Sequence, residues 1–132
     1  MAFVEVLIAA VAAFLLGFLW YTALFGKAWQ KETGVTDEQA QSGMGITHGG
    51  AFLMMYIIAF GINVIVNLHA PEDQTFMHGG FHGLMSAAFF AIPAMVIHYL
   101  YQKKSVKLML IDGGYLLLFF ALVGGVLGAL SL

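Results

Sequence analysis

Long apolar stretches, separated by short clusters of charge, set the rhythm of the chain. Glu5 and Lys27 enclose 21 uncharged residues, Glu38 and Glu72 enclose 33, and Asp73 and Lys103 enclose 29. Beyond Asp112 the last 20 residues carry no charged side chain. A helix that crosses a bilayer needs about 20 mostly apolar residues. Four such spans fit, over residues 2–25, 46–68, 76–101 and 106–131, and together they use nearly the whole sequence. The apolar runs are continuous and do not alternate, which argues against a membrane β-barrel. The pattern therefore predicts one domain over residues 1–132, an all-α membrane protein with four transmembrane helices in a small bundle.

The polar positions refine this outline. Residues 26–45 form the only long polar segment, and Thr36-Asp37-Glu38-Gln39 within it has the spacing of a capping box. A short interfacial helix is predicted there, in the first loop, ended by Gly43. The first span resembles a signal peptide in length only. Its opening residues (Met1 to Glu5) include no Lys or Arg, and Trp20 and Tyr21 stand where small cleavage residues belong. It is expected to stay as a membrane helix. Lys27 and Lys31 follow the first span, and Lys103, Lys104 and Lys107 lie between the third and fourth, while the loop of residues 69–74 has no lysine. The positive-inside rule then puts both termini on the outer side. Trp20, Tyr21, Lys27 and Trp29 are expected to anchor the first span at the membrane interface, with Tyr99 and Tyr101 doing the same for the third. Lys27 and Lys31 also suit anionic headgroups, at about 1 kcal/mol each.

Composition agrees with the pattern and narrows the chemistry. Of 132 residues, 61% are hydrophobic and only 12 are charged, five Lys and seven Asp or Glu, with no Arg. A soluble domain is usually about a quarter charged. A net charge of −2 steers no polyanion, so nucleic acid is not expected as a partner. With no Cys, disulfides, thiolate metal sites and Cys nucleophiles are excluded. No Walker loop and no Ser-His-Asp order at recognisable spacing is present, so no catalytic residue is assigned and the protein is not expected to be an enzyme.

Two blocks carry a resemblance. Gly17-x-x-Trp20-Tyr21-x-x-Leu24-Phe25-Gly26-Lys27-x-Trp29, followed by Gly34-x-Thr36, resembles the opening of the bacterial membrane-protein family called domain of unknown function 1761. Lys107-Leu108-x-Leu110-Ile111-Asp112-Gly113-Gly114-Tyr115 is similar to the family's second block, in which Asn-Ala-Gly-Tyr is expected; Asp112 and Gly113 depart from it. The resemblance implies four membrane helices, supplies no established activity and transfers no catalytic residue; with the lysine count it gives a bacterial cytoplasmic membrane with both termini on the periplasmic side.

Packing and polar candidates follow from the spans. Lipid is as apolar as Leu, so membrane helices associate through close packing and polar contacts. Ala9, Ala13 and Gly17 form a small-residue stripe in span one, and Gly124 and Gly128 a GxxxG in span four. Asp112 is the one charged residue well inside a span, about 9 Å from its start at ~1.5 Å per residue. An acid at that depth is a functional-site candidate, for a proton or a cation, or else a lock between helices. His48, His98, Tyr21 and Tyr99 are its possible partners. Asn63 and Asn67, with Tyr56, are expected to bond across helices. Pro93 should kink span three.

At the other end His78 and His82 stand at i and i+4 on one helix face, with His69 and Glu72 just before them. Two imidazoles on one face can share a metal ion, although Gly79, Gly80 and Gly83 predict a flexible helix end. Of three functions that these residues allow, the first is the one expected and the other two are alternatives. The first is a helix-association protein, a homo-oligomer or an accessory subunit of a larger membrane complex, whose partners are the bilayer and other membrane chains and which needs no cofactor. The second is a small proton- or cation-coupled transporter or channel using Asp112. The third is a metal- or haem-binding membrane protein using His78 and His82.

Overall fold

The computed structural model describes residues 2–130; Met1, and Ser131 at the end of the fourth expected span, lie outside the described residues. Four helical rods are long and apolar enough to cross a membrane, over Phe3–Leu24, Met44–Asn67, Phe76–Tyr101 and Val106–Leu130. Each bound falls within two residues of the expectation. Among the described residues there is no β-strand.

The first rod is α1 (Phe3–Leu19) continued by a π-helical turn over Trp20–Leu24. The first loop folds into two short helices where one was expected, α2 (Gly26–Thr33) and α3 (Asp37–Gln41). Gly34 separates them. Its φ of 75° closes α2 in the left-handed conformation that glycine adopts without steric cost. The capping box of α3 is complete: the Gln39 backbone N–H donates to Thr36 Oγ1, and the Thr36 N–H donates to Gln39 Oε1. α3 ends at Gln41, and Gly43 (φ 64°) opens the next rod, α4 (Met44–Asn67). The third rod comprises α5 (Phe76–Ser86), a second π turn over Ala87–Ala91 and α6 (Ile92–Tyr101). Pro93 is the second residue of α6, so the π turn lies where the proline withholds its N–H from the preceding turn. The last rod is α7 (Val106–Leu130).

α7 is the hub of the bundle, packing against α1, α4, α5 and α6. The opposite stripes of the rods face outward and are apolar: Phe18, Phe89, Phe90 and Leu110 are each more than 60% exposed. Such surfaces suit lipid, not water. The centre is built from small residues. Ala9, Ala10 and Ala13 of α1, Ala59 of α4 and Ala87 of the second π turn are fully buried, with Val6 and Val123 between them.

The closest approach is between α5 and α7. A Cβ on Gly79 would fall on the Gly124 carbonyl, one on Gly83 on the Phe120 carbonyl, and one on Gly128 on the Thr75 carbonyl. The glycines of α5 are therefore a backbone-to-backbone packing surface. This corrects the expectation that they loosen the helix end, because each lies against a neighbouring main chain. Gly17 packs under the Tyr115 ring, so both small-residue stripes are used inside the chain's own bundle.

Gly83→Ala should therefore lower stability by about 1–3 kcal/mol, as overpacking does. Gly61→Ala, where no atom lies within 4 Å, should be neutral or stabilising. Unfolding of the purified protein in mixed detergent micelles compares the two; equal losses would contradict the interlock.

Candidate functional site

Polar groups collect at the two ends of the bundle. Near the end where α1 runs out, the π turn re-aims two consecutive side chains at one neighbour. Trp20 Nε1–H donates to the Ile111 carbonyl at 3.0 Å, and the Tyr21 hydroxyl donates to Asp112 Oδ1 at 2.5 Å. Tyr99 of α6 donates to the other carboxylate oxygen, Oδ2, at 2.6 Å. Asp112 is only 8% exposed, and both its oxygens are thus satisfied by hydroxyls from two different rods. One carboxylate joins spans one, three and four. One turn further along, Tyr115 donates to the Ala13 carbonyl at 2.9 Å and its ring meets that of Tyr21 edge-on.

Trp20 and Tyr21, expected as interface anchors, thus spend their polar groups on α7. The π turn directs them into the bundle, and Tyr99 turns inward as well. Trp29 stacks edge-on against Tyr21, and Lys27 is exposed. Among the expected partners of Asp112, the two tyrosines reach it and the two histidines do not. His48 is exposed on α4 against the edge of Phe14, and His98 is exposed on α6.

The second collection lies at the opposite end. α4 ends at Asn67, and the loop that follows is tied by Gln74 Nε2, which donates to the His69 carbonyl at 2.8 Å. Thr75 caps α5 by accepting the His78 backbone N–H. Folded this way, the loop brings His69 back onto the helical pair. The Nε2 atoms of His78 and His82 are 3.0 Å apart, and ligand atoms from His69, His78 and His82 all lie within 4.8 Å of one another. The three rings touch, with centroids 4.2–4.8 Å apart. His69 Nδ1 lies 3.0 Å from the Ile65 carbonyl, which can only accept, so Nδ1 carries the proton and Nε2 the lone pair.

Glu72, expected with these histidines, is exposed on a one-turn 3-10 helix (Pro71–Asp73) and lies outside the cluster. Asn63 is 8% exposed on α4. Asn67 bonds back to the Asn63 carbonyl on its own helix, not across helices as expected, since a 2.9 Å partner lies one turn away. Tyr56 does reach another rod, with its hydroxyl 3.5 Å from the Phe3 carbonyl.

Residues 4–128 match the family described as "Protein of unknown function (DUF1761)". The chain belongs to the DUF1761 family. No curated protein and no solved structure matches it. In this DUF1761 protein the acid at position 112 has a specific consequence. An amide there would put a donating NH2 where the carboxylate has its second oxygen, so only the acid accepts a tyrosine hydroxyl on each side.

The inter-rod bonds to Asp112 have a measurable signature. Hydrogen bonds between membrane helices contribute roughly 0.6–2 kcal/mol each. Tyr21→Phe and Tyr99→Phe should each cost about 1 kcal/mol of stability in the native background. In an Asp112→Ala background each should cost less than half as much. Equal costs in both backgrounds, measured by detergent unfolding, would detach the tyrosines from the carboxylate.

Proposed function

We propose that this protein is a multi-pass membrane protein that binds one divalent transition-metal ion through His69, His78 and His82. The observation that carries this reading is the convergence of three imidazoles, two from one rod and one from the loop before it, within ligand distance of one another. Two nitrogens bound to one zinc ion at 2.0–2.1 Å in tetrahedral geometry stand about 3.3 Å apart. The His78 and His82 Nε2 atoms, at 3.0 Å, need only a small ring rotation to reach that spacing. Without metal one Nε2–H donates to the other Nε2; with an ion on both Nε2 atoms that ring carries its proton on Nδ1, so both rings bind as neutral imidazoles. His69 has the partner that ligating histidines usually have, a carbonyl on the far ring nitrogen that fixes tautomer and orientation.

The donor set selects the ion. Three neutral imidazoles without thiolate or carboxylate suit Zn²⁺, Cu²⁺, Ni²⁺ or Co²⁺, and disfavour the hard ions Ca²⁺ and Mg²⁺. Haem fits less well, because three rings in mutual contact leave no gap for a macrocycle between them. Three protein ligands leave a fourth position for water or an exchanging ligand, the arrangement of sites that deliver or use a metal, not of closed structural ones.

The other two functions drawn from the sequence have less support. The small-residue stripes are spent within the bundle, which removes the main motive for helix association as the function. Both oxygens of Asp112 hold tyrosines across helices, which suits a lock better than a cation relay.

Metal binding is tested on purified full-length protein stripped with chelator. Titration with Co²⁺ should give one equivalent per chain, with visible absorption of a four-coordinate nitrogen-rich complex, displaced by Zn²⁺. His78→Ala and His82→Ala should each weaken binding at least ~100-fold. His48→Ala and His98→Ala should bind like the wild type. Stoichiometric binding that survives loss of both His78 and His82 would overturn the assignment, as would wild-type protein that takes up no metal.

A further inference from the structure

The end of the bundle opposite the histidines has a separate chemistry, set by its lysines. All five lysines of the chain lie there, in two sequence clusters more than 70 residues apart. Lys27 and Lys31 stand one helical turn apart on α2, and Lys103, Lys104 and Lys107 follow α6. All five are exposed, and among the described residues none forms an ion pair. Three carboxylates share this loop region with the five ammonium groups, namely Glu32, Asp37 and Glu38. Two are already engaged: Glu32 accepts from Ser105 Oγ at 2.6 Å, and Asp37 accepts from Gln30 at 2.7 Å.

The Ser105 bond does more than occupy an acid. Ser105 Oγ also accepts the Leu108 backbone N–H, so one hydroxyl caps α7 and ties α2 to the turn between α6 and α7. α2 packs on α7 besides. Lys103 takes a left-handed backbone (φ 60°), rare for a residue with a side chain, in the turn that carries Lys103 and Lys104 into the open. The two lysine clusters are thus held beside one another as a single basic face.

We propose that this face is a binding site for the phosphate of anionic phospholipid headgroups. Depth favours lipid over a soluble anion. Lys27 lies three residues beyond the first rod, Lys103 two beyond the third, and Lys107 in the first turn of the fourth, all at the ends of the apolar rods, the boundary where a bilayer's headgroup region starts. Basic clusters between membrane helices at such a boundary collect anionic lipid, with each lysine adding roughly fivefold at low ionic strength. The site is independent of the metal reading, since it uses no residue of the histidine end.

The test is lipid retention by native mass spectrometry, after equilibrating full-length protein with equal amounts of phosphatidylglycerol and phosphatidylcholine. Wild type should retain phosphatidylglycerol at least ~10-fold more, and the preference should collapse in high salt. K27Q/K31Q and K103Q/K104Q should each cut it at least threefold, because both clusters serve one face. Replacing all five lysines by arginine should keep the preference, which separates charge loss from misfolding. Equal retention of the two lipids by the wild type would overturn the proposal, as would a preference untouched by either double substitution. Displacement of phosphatidylglycerol by millimolar inorganic phosphate would also overturn it, and would point to a soluble anion instead.

Discussion

The bundle depends on how closely the α5 and α7 backbones approach. In water, four amphipathic helices would be driven together by burial of their apolar faces. Here the outward faces are apolar as well, so lipid competes for every Leu and Phe on equal terms. What lipid cannot match is contact between two main chains, and only residues without side-chain bulk permit it. Gly79 and Gly83 on one helix and Gly124 and Gly128 on the other supply that contact. Ala9, Ala10 and Ala13 let α1 close from the other side. The small residues do the work that large core residues do in a soluble protein, which leaves Phe, Leu and Met to face outward.

Close packing leaves little room for buried polarity, so the polar groups that remain are satisfied or gathered at the ends. Asp112 illustrates the first case. A carboxylate this buried would be costly alone, but a hydroxyl on each of its oxygens makes it a three-way joint. Reaching it required a change of helical phase. In a regular α-helix Trp20 and Tyr21 would diverge by 100°, and the wider π turn lessens that angle so both bond consecutive residues of α7. The second π turn, before Pro93, similarly resets α6 so that Tyr99 faces the same carboxylate.

Much of this was legible from residue order. The spans were, because charge is so costly in a bilayer that twelve charged residues delimit four helices almost unaided. The Thr36–Gln39 cap was, since it is a purely local bond. Asp112 stood out by depth, and Tyr21 could be paired with it, because one lies six residues before Lys27 and the other five after Lys107. The direction of Trp20 was not legible. A π turn has no sequence signature, and position alone made Trp20 an interface residue. The role of Gly79 and Gly83 is hidden in the sequence for a related reason. Glycine lowers helix propensity in isolation, and only the partner backbone turns that local weakness into the tightest contact of the fold. Glu72 failed because proximity in sequence says nothing about which way a 3-10 turn points.

α5 links the packing to the candidate metal chemistry. His78 and His82 are each one residue before Gly79 and Gly83, so the imidazole row lies about 100° around the helix from the glycine row. Any rotation of α5 that pulled the histidines away from His69 would drive the glycine row off α7, where backbone contacts resist it. The register that brings the α5 and α7 main chains within touching distance therefore also fixes the azimuth of two imidazoles. The third comes from a loop whose end is set by the same contact, because Thr75 lies against Gly128 as well as capping α5. A site of three neutral ligands on a short loop and a helix end would be loose if each element were free. Here its geometry is inherited from the most constrained contact in the protein, so the histidines can be exposed enough to meet an ion and still be held in place.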